Sequence, residues 1–303
     1  MQHAAAMNEA LPARHAPAAE DDAAQARART GPLRWMGTLL LALVAVQILL
    51  FLFTNPRFEW PVVGKYLFAP SVLKGLGMTL VLTVVGMGVG TVIGTMAALA
   101  LLSDFRPGRW AAQTYLWLFR GTPLLIQLIF WYNLAYLLPK LSLGLPFLEP
   151  FASWNTNEVI TPFLAALLGL GLAEGAYMTE IVRAGLLSVD VRQHDAAMAI
   201  GMRPAQAFFR IVLPQAMRFI IPPTGNQVIS MAKATALVSV IAMNDLLHSV
   251  QLIYNRTYEI VPLLLVAVIW YLAIITLLYT LQSRLERRYS RGHQQGAAAA
   301  PDA

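Results

Sequence analysis

The chain contains no cysteine. That excludes disulfides, thiolate metal sites and cysteine nucleophiles. Charge is scarce too: Asp, Glu, Lys and Arg make up 13% of the 303 residues, against about 25% in an ordinary soluble domain. No paired carboxylates or nucleophile triad stands out, so no catalytic residue and no chemistry is expected in this chain. His194 beside Asp195 is one imidazole and one acid, too few ligands for a metal. No GxxxxGK[ST] phosphate loop is present, and Gly64-Lys65 lacks the rest of that motif. A nucleotide is therefore not expected to bind here, and no nucleic-acid partner is expected.

Hydrophobic residues make up 57% of the chain. They fall in runs near the length of about 20 residues that a helix needs to cross a bilayer. Six candidate spans follow: 35–54, 71–102, 112–138, 160–183, 223–243 and 262–283. The second carries Gly86, Gly90 and Gly94, a stripe of small residues that lets another helix approach closely. The first follows Arg27, Arg29 and Arg34. It is longer than the ~7–15-residue core of a signal peptide, and no small-x-small cleavage site follows it, so it reads as a retained span. The chain thus reads as an all-α polytopic membrane protein. Residues 1–32 and 291–303 read as disordered tails, 33–69 as a first span with its connection, and 70–290 as the main transmembrane domain.

Positive charge sets the orientation. With the N-terminus inside, one side of the membrane receives Arg14, Arg27, Arg29, Arg34, Arg106 and Arg109. It also receives Arg183, Arg192, Arg203, Arg210 and Arg218, then Arg284, Arg287, Arg288 and Arg291. The other side receives only Arg57, Lys65, Lys74, Lys140 and Arg256. Both termini and the 184–222 loop are therefore expected in the cytoplasm.

Within that loop, SVDVRQHDAAMAIGMRPAQAFFRIVLP (188–214) is a polar, helix-forming insert between apolar segments. Asp190 can cap a first helix containing Asp195, Ala196 and Ala197. Gly201 suits the left-handed position that ends it, and Pro204 suits the first turn of a second helix. That second helix, 204–212, is expected to stop before Pro214. The small face of Ala196, Ala197 and Gly201, with Phe208, Phe209 and Ile211, suggests a socket for a cytoplasmic partner rather than a helix resting on lipid headgroups.

The same segment resembles the EAA loop of ABC importer permeases, whose pattern is EAA, Gly, then Ile-x-Leu-Pro. Here it reads Asp195-Ala196-Ala197, Gly201 and Ile211-Val212-Leu213-Pro214. Further motifs in order are similar to the polar amino-acid (histidine/glutamine/arginine) subfamily. They are Arg120-Gly121-Thr122-Pro123, Gly175-Ala176-Tyr177 with Glu180-Ile181-Val182-Arg183, Leu213-Pro214-Gln215-Ala216 with Arg218, Pro222 to Asn226, and Lys233 with Thr235 to Ser239. The resemblance covers about residues 70–290. The chain departs from the pattern at Asp195 for Glu, at Val191-Arg192-Gln193 for a Pro- and Gly-containing run, and at Ala234 and Ala236 for Asp and Ser.

The resemblance implies a type I importer permease fold, a five-helix core with one additional N-terminal helix, in a bacterial inner membrane. It implies ATP and Mg on separate ABC ATPase subunits, which Asp195, Ala196, Ala197, Gly201, Phe208, Ile211, Leu213 and Pro214 would engage. It also implies a periplasmic solute-binding protein, a second permease chain, identical or related, and an amino-acid substrate, all in contact with membrane lipid.

Charges within spans are costly and are functional candidates. At 1.5 Å per residue, Arg120, Glu174 and Lys233 come about 12–15 Å from the cytoplasmic edge, near the bilayer midplane. Asn226, Ser230 and Lys233 share one helical face, and Glu174 neighbours Tyr177 at i, i+3. These six are the expected substrate path, Glu174 attracting an ammonium or a cationic side chain and Arg120 or Lys233 a carboxylate. The competing reading of the same charges is interhelical salt bridges, such as Glu174 with Lys233. Two competing functions are an ion-coupled secondary transporter, which often carries inverted repeats not discernible here, and a membrane scaffold.

Overall fold

A computed structural model describes residues 32–144 and 150–290, with side chains from 35 to 287 apart from the same internal gap. The tails 1–32 and 291–303 lie outside the described residues but for Pro32. The chain divides into two compact units at Phe58. The first contains helix α1, Pro32–Thr54, and a single 3-10 turn at Pro56–Phe58, where Phe58 packs edge-on against Phe51 at 5.7 Å.

The second unit holds everything else. Its helices are α2 (Trp60–Leu67), α3 (Pro70–Leu102), α4 (Arg106–Gly121), α5 (Leu124–Tyr132) and α6 (Leu134–Leu137). A hairpin of β1 (Lys140–Leu143) and β2 (Ala152–Asn155) follows, pairing Lys140 with Asn155 and Leu143 with Ala152. Then come α7 (Thr156–Val159), α8 (Pro162–Leu187), α9 (Val191–Ala199), α10 (Pro204–Ala207), α11 (Leu213–Ala234), α12 (Leu246–Thr257) and α13 (Ile260–Ser290). Proline in the first turn opens α2, α3, α4, α8 and α10, where its missing N–H costs nothing. Four described helices are long and apolar enough to cross a membrane. They become five if the segment 204–241 and α12, bent by 45°, count as one span.

The glycine stripe of α3 brings α8 close. A Cβ on Gly90 would meet Glu174 Cβ at 2.8 Å, and one on Gly94 would meet Met178 Cβ at 2.6 Å. Gly86 faces Leu170, so the two helices run in the same direction. α11 runs opposite to α8, because Gly185 meets Ile220 while Leu170 lies beside Met231 near Gly86. α13 reverses again, with Gln282 against Gly225 and Tyr271 hydrogen-bonded to Thr235, just past the end of α11. The main core gathers Leu82, Leu128, Leu170, Met178, Ile220 and Met231 from α3, α5, α8 and α11. A second cluster, Val63, Val72, Leu246, Val250, Leu263 and Val266, ties α2, α3, α12 and α13 together at one end.

Three expectations need correction. The span expected at 112–138 is broken: Thr122 is extended (φ −111°, ψ 138°), as a residue before proline tends to be. Gln127 Nε2 caps the break, donating to Phe119 O (3.1 Å), Thr122 O (3.1 Å) and Thr122 Oγ1 (2.9 Å). The span expected at 223–243 begins earlier, at Leu213. It runs through Pro222 and Pro223 to Ala234, then tightens to a 3-10 helix over Thr235–Ile241. Finally, the second insert helix does not stop before Pro214. A π-helical turn, Phe208–Val212, joins α10 to α11, and Leu213 N–H donates to Phe208 O. The widened turn changes which carbonyls seek donors just where Pro214 has none to offer.

Candidate functional site

At the α5, α8 and α11 junction lies a cavity of about 360 Å³. Thr122, Gln127, Glu174, Tyr177, Gln227 and Ser230 give it its polar lining, and Phe119, Leu170 and Met231 its apolar wall. Glu174 is 6% exposed. Its Oε1 and the Oε1 of Gln127 are buried and accept no hydrogen bond within the described residues. Buried acceptors in native proteins are normally paired. Both unmet acceptors belong to side chains that line this one cavity, which suits it to a group rich in N–H donors.

The sequence-derived path divides here. Glu174, Tyr177 and Ser230 line the cavity together. Arg120 does not. Its guanidinium pairs with Glu180 at 3.4 Å and lies 5.9 Å from the centre of the Tyr177 ring, and Glu180 also holds Arg183 at 2.8 Å. Asn226 is also outside, its Oδ1 accepting from Gln282 Nε2 at 2.8 Å. It belongs to the α11–α13 seam. Lys233 is exposed, outside the cavity, and makes no ion pair among the described residues. The proposed Glu174–Lys233 bridge does not form. Sequence reasoning missed Gln127 and Gln227. Gln127 interrupts the apolar run LLIQLIFWY just after the Thr122-Pro123 break, and that was the available signal.

The insert is geometrically well defined. Asp190 accepts from Arg192 N–H at 2.9 Å and so caps α9. The Arg192 side chain also bonds that carboxylate and holds Asp190 below the usual carboxylate range. Gly201 takes φ +82°. The Met202 N–H reaches back to Ala197 O (3.1 Å) and the Gly201 N–H to Met198 O (3.0 Å), the paired closure of a Schellman motif.

The profile of the family described as "Binding-protein-dependent transport system inner membrane component" matches residues 90–291. The chain belongs to this family. It is an ABC importer permease, a multi-pass inner-membrane subunit. The permease is 38% identical to the arginine transport system permease protein ArgU of Corynebacterium glutamicum, over 86% of this chain and 81% of that one. It is 36% identical to the L-cystine transport system permease protein TcyB of Bacillus subtilis, over 74% and 88%. Among solved structures, it superimposes on an amino acid ABC transporter with histidines at a TM-score of 0.61, with 32% identity, over 73% and 95% of the two chains.

On the permease, the insert residues divide between outer face and interior. Asp195, Ala196, Gly201 and Pro214 are exposed. Ala197 is 1% exposed and Ala207 fully buried. Ala197 thus lies on the inner side of α9, where its small side chain lets the helix close on the segment that follows it. The strongly exposed apolar residues of the insert are instead Val191, Ile200 and Phe209. Ile211 is half-buried. Phe208 and Leu213 help wall an apolar cleft of about 530 Å³ that continues along α3, α8 and α11 past Thr91, Met178, Ile220 and Val228.

Proposed function

We propose that this permease passes a polar amino acid with a cationic group through the Glu174 cavity. The observation that carries the reading is the pair of unpartnered buried acceptors, Glu174 Oε1 and Gln127 Oε1, on one cavity. An ammonium or guanidinium supplies several N–H donors and a charge that complements the acid. The Tyr177 ring offers a face to the same cation. Similarity to permeases named for arginine and cystine supports an amino acid as cargo. Arg120, paired with Glu180 beside Tyr177, is the nearest candidate for the substrate carboxylate, by exchange of its partner.

Its partners are ATPase subunits on the arginine-rich end, a solute-binding protein on the opposite end, and a second permease chain. The charge segregation supports cytoplasmic termini. The insert is the coupling element. Asp195, Ala196, Gly201 and Pro214 with Val191, Ile200 and Phe209 form the face that meets the ATPase. Ala197 holds α9 in place. Phe208, Ile211 and Leu213 transmit its displacement into α11, with which the π-helical turn makes the insert continuous.

The test is uptake by Glu174→Gln. The variant keeps the shape and removes the charge. A charge-assisted hydrogen bond contributes about 1.5–3 kcal/mol. KM for a cationic amino acid should therefore rise about 10–100-fold, with assembly on the ATPase retained. Unchanged uptake kinetics reject the assignment.

A further inference from the structure

A second cavity, of about 560 Å³, opens at the other end of the molecule, between α2, α3 and α12. Lys74 on α3 and Arg256 on α12 both line it, with hydroxyls from Tyr66, Ser71 and Ser249. Neither cation forms an ion pair among the described residues. Lys65 adds a third positive charge behind the wall, its Nζ 5.0 Å from the centre of the Tyr66 ring. Among the described residues no acid lines the cavity. Glu259, just past the end of α12, is not among the lining residues, and its Oε2 is buried.

The cavity is graded along the helix axes. On α3 the order is Ser71, Lys74, then Met78, with Met78 about 10 Å deeper than Ser71. α12 starts deep, where Leu246 N–H donates to Thr79 Oγ1 at 3.1 Å, and rises past Leu252 and Ile253 to Arg256. Lys74, Arg256, Tyr66 and Ser71 therefore gather toward the helix ends, Met78, Leu252 and Ile253 give the apolar wall, and Asn244 and Ser249 line the deep end. Trp60 opens α2 and Phe68 follows its end, while Tyr254 lies in the last turn of α12 and Tyr258 just after it. Aromatic residues at helix ends are common at the headgroup level of a bilayer. α2 lies at the same level, with Val63 buried and Lys65 exposed, as in an interfacial helix.

We infer that this cavity holds the phosphate of an anionic phospholipid, between Lys74 and Arg256, with the start of an acyl chain against Met78, Leu252 and Ile253. A cationic substrate is repelled by the same two charges, so the cavity lies off the path through Glu174. Gly75 is the positioning feature. A Cβ there would meet Asp245 O at 2.6 Å, so α12 rests directly on α3 and sets the spacing of the two cations.

The test is native mass spectrometry of the intact complex of permease and ATPase, released from mixed vesicles of phosphatidylglycerol and phosphatidylcholine. The wild type should retain phosphatidylglycerol in preference to phosphatidylcholine. K74Q/R256Q should retain it about tenfold less, while Lys140→Gln, a cation outside the cavity, behaves as wild type. Arg256→Lys, which keeps the charge, should retain most of the lipid. Equal retention by wild type and the double variant overturns the inference. So does displacement of the lipid by millimolar inorganic phosphate, which would make the cavity a free-anion site. Normal lipid retention with lost stimulation by the binding protein would assign the cations to an acidic protein partner instead.

Discussion

Glu174 sits where an acid is hardest to keep. It is 6% exposed, one oxygen has no donor, and α3 passes so close that a Cβ at Gly90 would meet its side chain at 2.8 Å. An arrangement that costly persists when a ligand completes it. Gln127→Leu, by the same reasoning, removes one acceptor and unties the Thr122 break. Transport should fall further than for Glu174→Gln, and thermal stability should fall too, which separates the two roles of Gln127. Arg120→Gln loses a partly exposed ion pair, so its effect on the thermal midpoint should be small, within about 1 kcal/mol. Its effect on uptake reads out any carboxylate role. Of the residues expected on the path from the sequence, Glu174, Tyr177 and Ser230 line the cavity, while Arg120, Asn226 and Lys233 lie outside it. Helical phase groups residues on one face but does not say which neighbouring helix that face meets. Glu180 and Gln282 lie on other helices and claim Arg120 and Asn226.

At the scale of elements, two contacts organise the bundle. The first is the glycine seam between α3 and α8. Gly94→Ala places a Cβ 2.8 Å from Gly175 O and 2.9 Å from Thr179 N, backbone atoms that cannot give way. Overpacking of this kind costs about 1–3 kcal/mol. Gly88→Ala meets nothing within 4 Å and should be neutral or slightly stabilising. Thermal unfolding of the purified permease distinguishes them, and equal midpoints would remove the seam from the account. The second contact is the insert. Cysteines at Ile200 and Phe209, 77% and 65% exposed, should crosslink to the ATPase, whereas one at Ala197, 1% exposed, should not. Crosslinking at Ala197 alone would place the docking face on the wrong side. The capping of the insert could be read from Asp190, Gly201 and Pro204, since each has a strong local preference. The continuity through Pro214 could not, because the rule that proline ends a helix assumes α spacing and the π-helical turn changes it.

For the whole molecule, the sequence revealed the membrane class, the charge segregation and the family, because each is a property of many residues in order. The broken span at Thr122 and the cavity beside it emerge only when α5, α8 and α11 meet. What results is a bundle with a donor-seeking cavity in its middle. At one end an insert is continuous with α11, and at the other Lys74 and Arg256 line a cationic cleft. Energy input falls to the insert and cargo recognition to the cavity. Both are tested by uptake of labelled arginine into proteoliposomes that carry the permease and its ATPase, with ATP in the compartment facing the ATPase and the binding protein in the other. Uptake should require ATP and the binding protein, survive ionophores that collapse ion gradients, and weaken in Glu174→Gln. Uptake by the permease alone that stops when ion gradients collapse would contradict this assignment.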